Sequence, residues 1–77
     1  MDLNHIQELV LIELESAIAK FEPFHSTHEG FAVLLEEVDE LWESVKLNQK
    51  HPDRPKLILE EAIRVAAMIF RFLNDCC

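Results

Sequence analysis

The sequence predicts an all-α chain of three helices, and three observations carry that expectation. Apolar residues recur at three- and four-residue intervals through most of the chain, the period of a helix face. Strand-like alternation is nowhere visible. Punctuation is sparse, since Gly30 is the single glycine and Pro23, Pro52 and Pro55 divide the chain into three stretches. No internal repeat or low-complexity segment interrupts this plan, so residues 1–77 read as one domain.

The first helix is expected from Leu3 to about Phe21. Leu3, Ile6, Leu9, Val10, Leu14, Ala17, Ile18 and Phe21 trace one face, and Glu13 is its one polar member. Leu11 and Ile12 widen the stripe beyond what one packing partner needs. Pro23 disfavours helix at the preceding Glu22 and sets the end. The link EPFHST then leads to a start signal. Ser26 followed by Glu29 fits a capping box, in which the hydroxyl accepts from the third helical N–H and the acid reaches back. Phe24 is placed to pack onto that helix start.

The second helix runs to about Leu47 or Asn48. Phe31, Leu34, Leu35, Val38, Leu41, Trp42 and Val45 form its main apolar stripe, which makes Trp42 a core residue on this reading. Glu36, Glu37, Asp39, Glu40 and Glu43 crowd the remainder and repel one another. Either this is a solvated acidic face or a cation sits among the carboxylates. Val33, Glu37, Glu40, Ser44 and Leu47 lie on a separate side, which suggests a second helix there with Glu37 and Glu40 directed into the gap.

The polar segment QKHPDRP is a loop, and the third helix begins near Pro55 or Lys56 and continues to about Asn74. Glu60, Arg64, Ala67, Arg71 and Asn74 form its polar side, and apolar residues cover most of the rest. Glu61 falls in the apolar sector between Leu57, Val65 and Met68. A carboxylate so placed costs several kcal/mol unless it is paired or bound to metal. A Lys or Arg partner is the plain explanation, and a shared divalent ion is the chemical one.

Composition bounds the partners. A chain of 77 residues buries only roughly 60% of its unfolded surface, yet 49% of these residues are hydrophobic. That surplus predicts a helical bundle completed by homo-oligomerisation. A formal net charge of −8 argues against sequence-independent nucleic-acid binding, which depends on cationic side chains meeting phosphates. No apolar run approaches a membrane span, and MDLNHIQELV has no basic region ahead of an apolar stretch. Cys76 and Cys77 are neighbours and form no disulfide framework, so a reducing, cytoplasmic setting is expected.

Glu37 and Glu40 project from one face at i,i+3, and Glu61 comes from the next helix, antiparallel to theirs across a short loop. Three converging carboxylates make a hard, oxygen-rich site suited to Mg²⁺ or Mn²⁺. The pattern Glu36-Glu37-x-x-Glu40 followed by Glu61 resembles the ExxE…ExxD signature of the MazG-like all-α nucleoside triphosphate pyrophosphohydrolases. HEGFAVLLEEVDELWESVK and EEAIRVAAMIFRFL are similar to small phage and bacterial members, and the likeness covers roughly Ser26 to Leu73.

The resemblance implies a bundle completed by a homodimer or homotetramer, and Mg²⁺-dependent hydrolysis of a nucleoside triphosphate to the monophosphate and pyrophosphate. Carried over by position, Glu37, Glu40 and Glu61 are metal ligands and Glu36 is the acid that activates water. The family's fourth acid falls on Arg64. An arginine binds no cation, so Glu60 or Glu36 compensates, or the site holds one ion, or activity has been lost. Arg64 is also suited to a phosphate contact. Lys46, Lys50 and Arg54 are further phosphate candidates, each with surface solubility as the plainer role. His25, His28 and Glu29 form a small second cluster without enough ligands for a metal. His5 and His51 read as surface residues.

Overall fold

The computed structural model describes all 77 residues, and it is helical throughout with no strand. Helix α1 spans Leu3–Lys20, α2 spans Thr27–Lys46 and α3 spans Arg54–Cys76. The ends follow from local chemistry. Asp2 caps α1, its carboxylate accepting from the His5 N–H at 2.9 Å. Ser26 caps α2, its hydroxyl accepting from the Glu29 N–H at 3.0 Å. The return half of the expected capping box reaches one residue further, because Glu29 accepts from the His25 N–H at 3.2 Å. Helix α3 opens with Pro55 in its first turn and no side-chain cap from Asp53. It starts one residue sooner and ends two residues later than the periodicity indicated.

The third helix is the centre of the fold. Both α1 and α2 pack against it, and they do not pack against each other. Contacts fix the directions. Glu13 meets Arg64 and Ala17 meets Arg71, so α1 runs parallel to α3. Glu37 lies by Glu61, and Ser26 lies by Cys76, so α2 runs antiparallel to it. The result is a slab of 40 × 26 × 19 Å with a notch between α1 and α2. No helix is long and apolar enough to cross a membrane.

Gly30 is buried where α2 packs against α3. A Cβ built there would lie 2.8 Å from Phe72 and 3.1 Å from Phe24, so a larger residue would have to push those rings aside. Phe24 does pack onto the start of α2, as its position suggested.

Two readings of the helix faces need correction. Arg71, placed on a polar side of α3, is 3% exposed. Its guanidinium donates to the Ala17 carbonyl at 2.8 Å, to the Phe21 carbonyl at 2.6 Å and to Asp75 at 3.1 Å. It therefore satisfies the Phe21 carbonyl just past the end of α1 and adds a second donor to the Ala17 carbonyl, which also accepts from the Phe21 N–H. Ala67, from the same side, is completely buried.

Trp42, read as core, is 56% exposed in the single chain, and Phe31, Leu35, Val38 and Val45 are exposed with it. The side of α2 that meets α3 is the other one, through Gly30, Val33, Glu37, Ser44 and Leu47. Burying the wider stripe against α3 would turn Glu37 and Glu40 away from Glu61. The buried apolar set is consequently small: Val10, Ala17 and Ala67.

Candidate metal centre

Three carboxylates meet between α2 and α3. Glu37 and Glu40 stand one turn apart on α2, and the antiparallel α3 carries Glu61 alongside them. One oxygen from each lies within 4.8 Å of the others. Glu61 is 9% exposed, as its place in the apolar sector required. Its Oε1 accepts from Arg64 Nη1 at 2.9 Å, so the expected Arg partner exists. That pairing is incomplete, since Glu61 Oε2 and Glu37 Oε2 are buried without any hydrogen-bond partner.

Electrostatics follow from this packing. Burial pushes the Glu37 carboxyl above its usual range, and the nearby charges of Glu40 and Glu61 push it further. Burial likewise raises Glu61; the Arg64 guanidinium pulls it back down, and Glu40 pushes it up again. Unpaired oxygens and mutually repelling acids form an incomplete polar group, which a cation would complete. Carboxylate oxygens are the hard ligand type that Mg²⁺ or Mn²⁺ takes, and Arg64 pairs with one oxygen of the cluster.

Two of the three acids, Glu37 and Glu40, line a cleft of about 610 Å³, the notch between α1 and α2; Glu61 is not among its lining residues. Helix α3 supplies the floor through Arg64, Met68 and Arg71. Glu13, Ser16 and Lys20 line it from α1, and Val33, Glu37 and Glu40 from α2. Arg64 Nε lies 3.8 Å from Glu13 Oε1 across the notch. Phe21, Phe24 and Lys20 form the far end. The α2 wall from Glu29 to Glu40 is about 16 Å long at the helical rise.

Several other candidates lie elsewhere. Glu36 is exposed and lines no part of the cleft, because it falls on the outer side of α2. Lys46 pairs with Glu43 at 2.8 Å and lies over the Trp42 ring, outside the cleft. Lys50 is exposed in the loop before α3. Arg54 donates to the Val45 carbonyl at 3.0 Å and closes the end of α2. Glu60 pairs loosely with Lys56 at 3.8 Å. His25 bonds Glu29 at 3.2 Å, and His28 is not gathered with them into a ligand set. His5 and His51 are exposed, and Cys76 and Cys77 are free thiols.

Glu13 and Lys20 are cleft residues the sequence reading did not single out. Glu13 had a signal, as the one acid in the apolar stripe of α1. Lys20 had none, since nothing local distinguishes it from a helix-end cation.

Comparison with known family models, curated proteins and solved structures returns no match.

Proposed function

We propose that this chain is a Mg²⁺-dependent nucleotide pyrophosphohydrolase of the MazG-like type, cleaving an NTP or dNTP to the monophosphate and pyrophosphate in the cytoplasm, as a homodimer or homotetramer. The observation that carries the proposal is the convergence of Glu37, Glu40 and Glu61 with two buried oxygens left unpartnered. Those three carboxylates would hold the ion. Mg²⁺ held there neutralises phosphate charge and makes a nearby water more acidic.

The chain's own groups then have separable tasks. Water attacks the α-phosphorus, the bond to the bridging oxygen breaks, and pyrophosphate leaves. Of the cleft's other acids, Glu13, Glu22 and Glu29, Glu13 is the one beside Arg64, and it takes the role first assigned to Glu36, accepting the proton of that water. Lys20, which has no carboxylate partner, and Arg64, which would have to share its guanidinium with Glu61 and Glu13, replace Lys46 and Lys50 as phosphate contacts.

One observation favours a second reading. Arg64 already pairs with Glu61 at 2.9 Å where the family pattern has an acid. On this alternative the chain is a catalytically degenerate relative that binds nucleotide or a protein partner.

Pyrophosphate release from a panel of NTPs and dNTPs, with and without Mg²⁺, separates the two. The enzyme releases pyrophosphate from at least one of them only with Mg²⁺, and Glu40→Gln abolishes it. Nucleotide binding without release by the wild type would establish the degenerate reading.

A further inference from the structure

The acid cluster has four corners, and three of them are carboxylates. Glu37 and Glu40 stand one turn apart on α2, and Glu61 and Arg64 stand one turn apart on the antiparallel α3. Arg64 thus projects from the position at which α3 could offer a fourth acid. It is held there from two sides. Its Nη1 donates to Glu61 Oε1 at 2.9 Å, and its Nε lies 3.8 Å from Glu13 Oε1 on α1. A guanidinium does not give up its proton in a protein, so this corner carries a fixed positive charge that pH does not remove.

We infer that Arg64 occupies the place of a second metal ion, so that the centre takes one divalent ion per chain and Arg64 supplies the other positive charge. The inference rests on the metal-centre reading proposed above. Charge balance points to a single ion. The three acids carry three negative charges and Arg64 returns one, which leaves the two that one divalent ion neutralises. Ligand supply points the same way. Paired sites hold two ions about 3.5–4 Å apart, and each ion needs its own share of carboxylate oxygen. Here Glu61 Oε1 is committed to Arg64, and the carboxylate oxygens left buried without a partner are Glu37 Oε2 and Glu61 Oε2. With Glu40 beside them they offer one ion three protein ligands, and Mg²⁺ usually keeps water in its other positions. A second ion would have to settle against the guanidinium itself.

The fixed charge also acts on the first ion. It repels the metal and holds one oxygen of Glu61, so the centre binds less tightly than its acids alone would allow. Arg64 therefore sets both the number of ions and the strength with which the one is held.

Manganese binding without nucleotide tests this apart from any turnover. Free Mn²⁺ is counted by its electron paramagnetic resonance signal as it is titrated into the chain, and circular dichroism checks that each variant is helical. The wild type should bind one Mn²⁺ per chain, and Glu40→Gln should lose it. Arg64→Gln removes the charge and keeps a polar head. It should bind the ion at least about tenfold more tightly, the effect of lifting a unit charge from beside a divalent ion even at the dielectric of water. Arg64→Asp should bind two ions, with the exchange-coupled spectrum of close neighbours. Two coupled ions in the wild type would overturn the inference, and so would an unmoved affinity in Arg64→Gln. One ion in a helical Arg64→Asp would overturn it as well, because something other than Arg64 would then set the number. If Arg64→Asp does not fold, the wild-type count and Arg64→Gln decide. Binding that appears only after Arg64 is replaced would show that Arg64 fills the centre alone. No Mn²⁺ on the wild type or on Arg64→Gln would sink the metal centre itself, a result distinct from two ions or an unmoved affinity.

Discussion

Replacing Glu61 by Gln tests the centre without changing its shape. In the metal-free chain, Glu61 faces two carboxylates within 4.8 Å, and each repulsion is worth about 3.5 kcal/mol at an effective dielectric near 20. Against them stands Arg64 at 2.9 Å, an attraction of about 6 kcal/mol on the same scale. The opposing terms nearly cancel, so the desolvation of a carboxylate with one unpartnered oxygen decides the sign. Glu61→Gln should therefore stabilise the metal-free protein, by about 1 kcal/mol, or roughly 4–8 °C in Tm. With Mg²⁺ the order reverses. The wild type should gain about 2.7 kcal/mol at a hundredfold excess over Kd, and the variant should gain almost nothing. Urea denaturation at one fixed protein concentration, in EDTA and then in Mg²⁺, measures both differences. If Glu61→Gln weakens the metal-free protein and keeps the full Mg²⁺ response, then Arg64 alone accounts for Glu61 and no cation belongs there.

Further outcomes follow from the same contacts. Glu37 and Glu61 have raised folded pKa values, so their contribution to stability is greatest when both are protonated and is lost as pH rises through those values. Protons and metal then compete, and the Mg²⁺-induced rise in Tm should be large at pH 7 and shrink as pH falls toward the carboxylate range. Asp75 works in the opposite sense. The Asn74 amide lowers it most, with the Phe24 N–H and Arg71 adding to the effect, so its contribution is lost as pH falls through its folded value. The metal-free melting temperature should accordingly pass through a maximum at mildly acidic pH. Arg71→Met should cost about 3–5 kcal/mol in urea denaturation, because it takes a buried guanidinium away from Asp75 and from the Ala17 and Phe21 carbonyls. Gly30→Ala gains about 1 kcal/mol of helix propensity but drives a methyl to 2.8 Å from Phe72. A net loss of about 1 kcal/mol in the same assay is expected, and a gain would mean that Phe72 and Phe24 yield easily.

The sequence by itself determined the elements and the acid cluster. Periodicity, the Ser26 cap and the prolines locate three helices to within two residues, because those signals are local. Glu37, Glu40 and Glu61 were legible because an acid amid apolar residues must be paired wherever the chain takes it. The tertiary structure alone decided which face of each helix is buried. The wide stripe through Trp42 and the narrower side through Glu37 are both plausible inner faces of α2 taken alone, and only packing against α3 chooses between them. Arg71 shows the same limit from the other direction. Its burial comes from the carbonyls of Ala17 and Phe21, more than forty residues away in sequence, and no pattern around position 71 could announce that contact. Glu13 and Lys20 entered the cleft, and Glu36, Lys46 and Lys50 left it, for one physical reason. A helix wheel gives the angle between side chains, but the neighbouring helix fixes where that wheel is pointed.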